Sequence, residues 1–411
     1  MSNKKLWLWL SLHFGAGTDI YKKLYEHFGS IEKIYDCDDA DVNLISWLHS
    51  HQKRKLLDKN LNHAEEVLEW CSYHYVKITT PSENDYPMPL RNMDDYPAAL
   101  YYRGKMPDFE KTLCISVVGT RNCTNEGQKN AYCLGFGLAS AGALVVSGMA
   151  LGIDCVSQKG ALYAGGSAVA VLGSGIDVVY PKANAKLMEK IAQVGVVMTE
   201  YPPQTPPNGY NFPIRNRIIS ALSVATVVVE GDTNSGALIT ARKSLEQGKD
   251  LYAYPGPVNS FASSGTNLLL REGARVATEA IDVLEQYMDK YPYIDLAASK
   301  LKPVLPRENR FADYYAGKSD SPKEAEVVVK TTKSNRTIAA EIMKGEMVKF
   351  DTSVLTEKEK IVYDAIEFNT PTCLDSIADI DMEFSEIVST MTMLELKKAV
   401  VSMPGGYFLK K

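Results

Sequence analysis

The sequence predicts an α/β protein in which a parallel-sheet domain is flanked by a small N-terminal helical domain and a C-terminal winged-helix-like domain. Short apolar segments alternate with helical patterns in the middle of the chain. Apolar residues at helical spacing dominate the first 78 residues, and the last 60 residues read as helices followed by a hairpin. Alternating strands and helices are typical of a parallel sheet covered on both faces.

Residues 1–78 form the predicted helical domain, with apolar side chains at helical spacing such as Leu24, Phe28 and Ile31. A Gly15-x-Gly17 turn is similar to a degenerate helix-hairpin-helix turn, whose backbone N–H groups bind phosphate. A plain turn in a helical bundle explains the same two glycines. Both interpretations remain open at this stage.

Residues 79–290 form the predicted sheet domain, in which short apolar strands each end at a turn signal. In a parallel sheet these ends share one edge, where open α/β folds bind their ligands. The predicted strands are 113–118, 143–147, 168–172, 196–200, 225–230 and 251–254.

Residues 291–350 are polar and predict a linker, and residues 351–411 predict the winged-helix-like domain. Its expected helices are 357–367, a short one near 373–378 and 384–398, followed by a hairpin around Pro404-Gly405-Gly406. Residues 352–411 contain ten acidic and six basic residues, and the third predicted helix lacks Lys and Arg before residue 397. This unit is therefore expected to contact protein rather than DNA.

The 411-residue chain has a formal net charge of −5, which argues against coating of nucleic acid through bulk charge. Seven cysteines without a C-x-x-C pair predict reduced thiols in a cytoplasmic protein. No apolar run approaches the ~20 residues that span a bilayer, so membrane insertion is not expected.

The segment 211–220 places two arginines in a helical pattern that otherwise looks buried. Pro213 suits the first helical turn, where free backbone N–H groups bind anions. Arg215 and Arg217 are separated by about 200° around a helix axis. We therefore expect one to face a ligand and the other the protein, although two internal salt bridges would also explain them.

Several enzyme classes lack support in the sequence. Gly173-Ser174-Gly175 resembles the start of a dinucleotide fingerprint, with Glu200 as a candidate ribose ligand, but Val178 replaces the third glycine. The chain has no P-loop motif and no cluster with metal-ligand spacing, and all six histidines precede residue 75. We therefore expect no cofactor and no resident metal.

Two carboxylates, Glu230 and Asp232, flank one predicted strand end. They suit either an acid/base pair or internal partners for Arg215 and Arg217, and the second interpretation is favoured. The sequence places Lys and Arg side chains and free backbone N–H groups at several strand ends. Such a spread of groups suits a polyanion better than one small phosphate. Phe212, with Tyr180 or Tyr210, offers faces for base stacking.

The motifs resemble the DNA processing protein A (DprA/Smf) family over about residues 80–285. They are Val118-Gly119-Thr120-Arg121, Ser147-Gly148 through Ile153-Asp154, Val171 through Gly175 with Tyr180-Pro181, Phe212 through Ser220, Ser235 through Ala241, and Pro255-Gly256. The resemblance implies a Rossmann-like domain that binds single-stranded DNA, forms a homodimer and helps to load the RecA recombinase during natural transformation, without catalysis.

The predicted nucleic-acid ligands, by this resemblance and by position at the strand ends, are Thr120, Arg121, Ser147, Gly148, Gly173, Gly175, Lys182, Lys186, Phe212, Arg215, Asn216 and Arg217. Glu230, Ser235 and Thr240 are expected to support the groove. Three residues depart from the family pattern: Thr120 replaces the commoner serine, Gln158 a usual histidine and Ala237 a frequent serine.

Two other functions compete with this prediction. A related Rossmann-like family cleaves nucleoside monophosphates with a Pro-Gly-Gly turn and an acidic residue, but that turn is absent from residues 79–290. The acidic C-terminal unit would instead suit a protein whose main role is to bind a protein partner.

Overall fold

The computed structural model describes residues 2–303, 355–366, 372–373, 386, 390–391, 393–394, 397, 399–403 and 407–410. These residues belong to two compact units, one ending before residue 321 and the other following it. Within the described residues, no helix combines the length and apolar character that crossing a bilayer requires.

The N-terminal region is helical, as predicted, and its first helix is its centre. Side chains from all around α1 are buried, including Trp7 and Trp9, because α3, α5 and α6 pack around it. Ser30 and Asp38 cap the starts of α3 and α4 by accepting hydrogen bonds from backbone N–H groups. The helices are α1 Asn3–Phe14, α2 Ile20–Phe28, α3 Ile31–Asp36, α4 Asp39–Leu44, α5 Ser50–Leu57 and α6 Asn62–Tyr73.

A nine-stranded sheet follows, and its central strands are buried because helices cover both faces. Its strands are β1 Lys77–Thr79, β2 Leu100–Gly104, β3 Cys114–Val118, β4 Leu144–Ser147, β5 Ala168–Val171, β6 Val196–Thr199, β7 Ala225–Val228, β8 Asp250–Ala253 and β9 Arg275–Val276. All six predicted strands are confirmed, with ends that agree within two residues.

The helices between and after these strands are α7 Met88–Arg91, α8 Asn125–Ser140, α9 Ile153–Tyr163, α10 Ala185–Val194, α11 Asn211–Ala221, α12 Gly236–Glu246, α13 Ser264–Arg271, α14 Ala280–Leu284 and α15 Leu296–Ser299. Short 3-10 helices occupy Lys182–Asn184, Phe261–Ser263 and Glu285–Tyr287. One hydrophobic core joins α1 to α6 with the sheet. The predicted boundary at 78/79 falls inside β1, and the domain limits stay a prediction.

The strand order is β1-β2-β6-β5-β4-β3-β7-β8-β9. Neighbours from β6 to β9 are parallel, whereas β1 and β2 extend the β6 edge in antiparallel pairing. The chain reverses its direction across the sheet between β3 and β7, so the crevice beyond their carboxyl ends is the expected ligand position.

The second unit contains α16, Glu357–Ala365, and an antiparallel sheet in the order β10-β12-β11. Its strands are β10 Thr372–Cys373, β11 Val400–Met403 and β12 Tyr407–Lys410. The predicted first helix and the hairpin strands are confirmed. Cys373 lies in a strand, so the predicted short helix does not begin there. Residues 374–378, most of 384–398 and the turn at 404–406 lie outside the described residues.

Candidate nucleic-acid interface

A pocket of about 330 Å³ lies beyond the carboxyl ends of β3 and β7. We call it the switch-point pocket, because the order of the strands reverses there. Its walls are the turn after β3, the segment before and at the start of α9, the first turns of α11, and Asp232 together with the start of α12. The predicted residues Thr120, Arg121, Phe212, Arg215, Asn216, Ser235 and Thr240 all line it.

Three helices of ten or more residues, α9, α11 and α12, begin at this pocket. Ser235 caps α12, where its hydroxyl accepts a hydrogen bond of 3.3 Å from the Ala237 N–H. A helix N-terminus carries a partial positive charge and free N–H groups, which together favour an anion. The pocket is therefore electrostatically suited to phosphate.

Arg121 is the exposed cation of the pocket. Its guanidinium carbon lies 5.0 Å from the centre of the Phe212 ring, in a cation–π arrangement. In the part of the chain that the structure describes, no carboxylate lies within ion-pair distance of Arg121. The charge of this side chain is consequently available to an external anion.

Glu230 fastens the loop that carries Arg121 at both of its ends. The Glu230 carbonyl accepts a 2.7 Å hydrogen bond from the Thr120 N–H. Its carboxylate accepts a 2.8 Å bond from the Thr124 N–H and another from the Thr124 hydroxyl. The favoured prediction that Glu230 or Asp232 pairs with Arg215 or Arg217 is wrong, since both arginines have other partners among the described residues. Asp232 instead accepts a 2.7 Å bond from the Asn234 N–H.

Arg215 is buried and joins α11 to the ends of two strands. Its Nη1 donates a 2.9 Å hydrogen bond to the Gly148 carbonyl and another to the Val171 carbonyl. Its Nε donates to the Asn216 side chain at 3.1 Å. Burial lowers the pKa of Arg215 to about 10, with the nearby Asp154 carboxylate acting in the opposite direction. Arg215 therefore stays cationic at neutral pH at the pocket wall.

Arg217 points away from the pocket, into a buried ion pair. Its Nη2 lies 2.6 Å from Glu200 Oε2, and its Nε lies 3.2 Å from Asp95 Oδ2. Burial alone would lower the pKa of Arg217, but the two carboxylates outweigh it and raise the pKa. The two side chains diverge, as their helical spacing predicts, and a ligand role for Arg215 stays a prediction. The structure does not bring Arg217 to the interface for which the sequence predicted it, because Glu200, the candidate ribose ligand, holds it in an ion pair.

The other predicted binding residues do not line the pocket. Ser147 is buried and donates a 2.6 Å hydrogen bond to the Val117 carbonyl. The Gly173 carbonyl accepts from Asn211 at 3.0 Å, and the Gly175 N–H donates to the Thr205 carbonyl at 2.9 Å. Ser147 thus joins β4 to β3, whereas Gly173 and Gly175 belong to the turn after β5.

The two predicted lysines that follow β5 are exposed and do not line the pocket. Lys182 begins the 3-10 helix after β5, and Lys186 is in the first turn of α10. The Tyr180 ring, just before them, lies 5.5 Å from the Phe212 ring. This arrangement continues the aromatic surface toward the two lysines.

A sequence model of the family described as DNA recombination-mediator protein A matches residues 77–288. The chain belongs to this family. It is 39% identical over 202 residues to the DNA processing protein DprA of Streptococcus pneumoniae, a match that covers 49% of this chain and 71% of that protein. It is 36% identical over 248 residues to the protein Smf of Escherichia coli, covering 60% of this chain and 66% of that one.

The family resemblance extends to three dimensions. The crystal structure of the Streptococcus pneumoniae DNA processing protein A aligns with a TM-score of 0.60 and 29% sequence identity. The alignment covers 70% of this chain and 98% of that chain. Every residue of the switch-point pocket falls within the stretch matched by the DNA recombination-mediator protein A family.

Sequence reasoning missed one buried carboxylate of this DprA-like site. Asp154 lines the pocket, and its Oδ2 accepts a 3.1 Å hydrogen bond from the Gly148 N–H. Burial raises the pKa of Asp154, while Arg215 opposes the rise. The position of Asp154 in the first turn of a predicted helix could have drawn attention to it. Its proximity to Arg215 depends on the tertiary structure and could not be predicted from the sequence.

Proposed function

We propose that this chain binds single-stranded DNA at the switch-point pocket as a recombination mediator that protects incoming DNA. We further propose that it acts in the cytoplasm as a homodimer, without catalysis, and helps to load RecA during natural transformation. Family membership supports the proposal. The observation that carries DNA binding is an exposed Arg121 stacked near Phe212, where three helix N-termini meet.

A single strand suits this site better than a duplex. Phe212 and Tyr180 present ring faces, and only unpaired bases can stack on protein side chains without being unstacked first. At about 330 Å³, the pocket is at the small end of the usual range for ligand sites, so it would hold one unit of a strand. The exposed Lys182 and Lys186 would contact phosphates on the β5 side.

Binding measured with oligothymidine and with a duplex of equal length, each at two salt concentrations, tests the proposal. We expect a preference for the single strand and weaker binding at the higher salt concentration. Arg121→Ala should weaken binding by about tenfold or more and reduce the salt slope by about one, because one phosphate contact is lost.

Arg271→Ala is the matched control, since Arg271 is an exposed arginine at the end of α13 and does not line the pocket. The control should bind as the unchanged protein does. Equal affinity of the Arg121→Ala and unchanged proteins, with both folded, would remove the pocket as the DNA site.

The nucleotide-processing alternative rests on the carboxylates Asp154 and Asp232 at the pocket wall. Glu230, the acidic residue that the sequence suggested for such a role, uses both carboxylate oxygens to hold Thr124. It does not line the pocket, so its carboxylate supports the loop that carries Arg121 rather than facing a substrate there. Release of free base from nucleoside monophosphates, abolished in Asp232→Asn, would replace the binding proposal with an enzymatic one.

A further inference from the structure

The turn between α1 and α2 contacts the helix that carries the proposed DNA-binding residues. Gly17 has φ = +71°, and a Cβ atom at this position would lie 2.5 Å from Cγ2 of Ile214 in α11. The Gly17 N–H is 3.5 Å from Glu200 Oε1 and points at that carboxylate. The N–H group that a helix-hairpin-helix turn would offer to phosphate thus faces the protein.

Neighbouring contacts hold this turn in place. The Tyr21 hydroxyl donates a hydrogen bond to the Gly15 carbonyl, and the Tyr21 ring is buried. Lys22 pairs with Asp94 at 2.7 Å, and the adjacent Asp95 pairs with Arg217. The N-terminal region is therefore tied to the surroundings of α11 at more than one point.

The contacts form a short continuous path to the pocket. Gly17 packs directly against Ile214. The Glu200 carboxylate accepts a hydrogen bond from the Gly17 N–H and forms an ion pair with the Arg217 guanidinium. Ile214 lies between Pro213 and Arg215, both of which line the pocket. A clash that shifts the backbone of Ile214 therefore shifts the two neighbouring pocket residues with it.

We propose that Gly17 is a positioning residue for the DNA site. Because glycine has no side chain, the α1–α2 turn packs closely against Ile214 and thereby fixes the position of α11. This proposal rests on the proposed function. It assigns the N-terminal helical region a role in holding Phe212 and Arg215 rather than in contacting DNA through the Gly-x-Gly turn.

Gly15 provides a matched control inside the same turn. Gly15 also has a positive φ, +78°, but a Cβ atom there meets no heavy atom within 4 Å. Both substitutions place a side chain at positive φ, and Gly15, with ψ = −168°, lies in a region that is essentially restricted to glycine. Gly15→Ala therefore tests backbone strain in this turn alone, whereas Gly17→Ala also presses on α11. We expect Gly17→Ala to weaken single-stranded DNA binding by about 3- to 30-fold, and Gly15→Ala to leave affinity unchanged.

Ile214→Ala supplies the second half of a double-mutant cycle. It removes the Cγ2 atom that the new Cβ would meet, while Ile214 Cβ itself would be 3.6 Å away, an ordinary contact. The Gly17→Ala/Ile214→Ala protein should recover the affinity of Ile214→Ala alone. Loss of binding in Gly15→Ala, absence of rescue, or full affinity of Gly17→Ala would each overturn the proposal.

Hydrogen–deuterium exchange of the free proteins separates this inference from the proposed function. We expect faster exchange across residues 211–217 in Gly17→Ala, slower exchange again after Ile214→Ala is added, and no change in Gly15→Ala. If the unchanged protein fails to bind single-stranded DNA, the proposed function falls. The exchange result still decides whether Gly17 positions α11.

Discussion

Replacing Arg217 by methionine is expected to lower the free energy of unfolding by about 3 to 5 kcal/mol, because the change strands the Glu200 carboxylate in the protein interior. Both side chains are only 3% exposed, and their closest oxygen and nitrogen atoms are 2.6 Å apart. Urea denaturation of the two proteins, followed by circular dichroism, measures the difference. The slope of the transition should stay the same.

The Arg217→Met/Glu200→Leu protein is the control for this expectation. It removes both charges together, so most of the lost stability should return. Asp95 then loses its partner too, but its side chain is 36% exposed and keeps water as an alternative. A loss below about 1 kcal/mol in Arg217→Met would contradict the buried ion pair.

Replacing Arg215 by methionine is expected to abolish measurable single-stranded DNA binding and to lower the free energy of unfolding by about 2 to 4 kcal/mol. The change deprives the Gly148 and Val171 carbonyls of a donor and leaves buried Asp154 without its nearby cation. Filter binding at low salt and urea denaturation of the same preparations measure the two effects.

Arg215→Lys distinguishes charge from geometry. Lysine keeps the positive charge, but it cannot reproduce the planar set of donors that reaches two carbonyls and Asn216. We expect a smaller loss of affinity than in Arg215→Met and a clear loss of stability. A folded Arg215→Met protein with unchanged DNA affinity would show that this wall of the pocket does not serve the nucleic acid.

The sequence predicts the sheet well because its central strands are buried on both faces. Continuous apolar runs such as 168–172 therefore have no competing interpretation as surface segments. β1 and β9 escape this reasoning, since they have three and two residues and exposed positions. Such strands form because a neighbouring strand offers unpaired backbone groups. That neighbour is set by the tertiary structure and not by the local sequence.

The candidate site was predictable in position but not in the assignment of its charges. Helical periodicity separates Arg215 from Arg217, but their partners lie far along the chain, at Gly148 and Asp95 among others. Glu230 shows the same limit, since its partner Thr124 is 106 residues away. The Gly-x-Gly turn was ambiguous because the direction of an N–H group depends on what packs against it.

Glu230 holds the Thr120–Thr124 loop at both of its ends. The residues between these ends can therefore be substituted while the loop keeps its position. The anchors are a backbone carbonyl and a carboxylate that bind Thr120 and Thr124, and none of these hydrogen bonds uses the side chain of Arg121 or Asn122. Both of these side chains are exposed. Substitutions at these two positions can thus change the charge and hydrogen-bonding groups at the entrance of the pocket without altering the contacts that hold the loop.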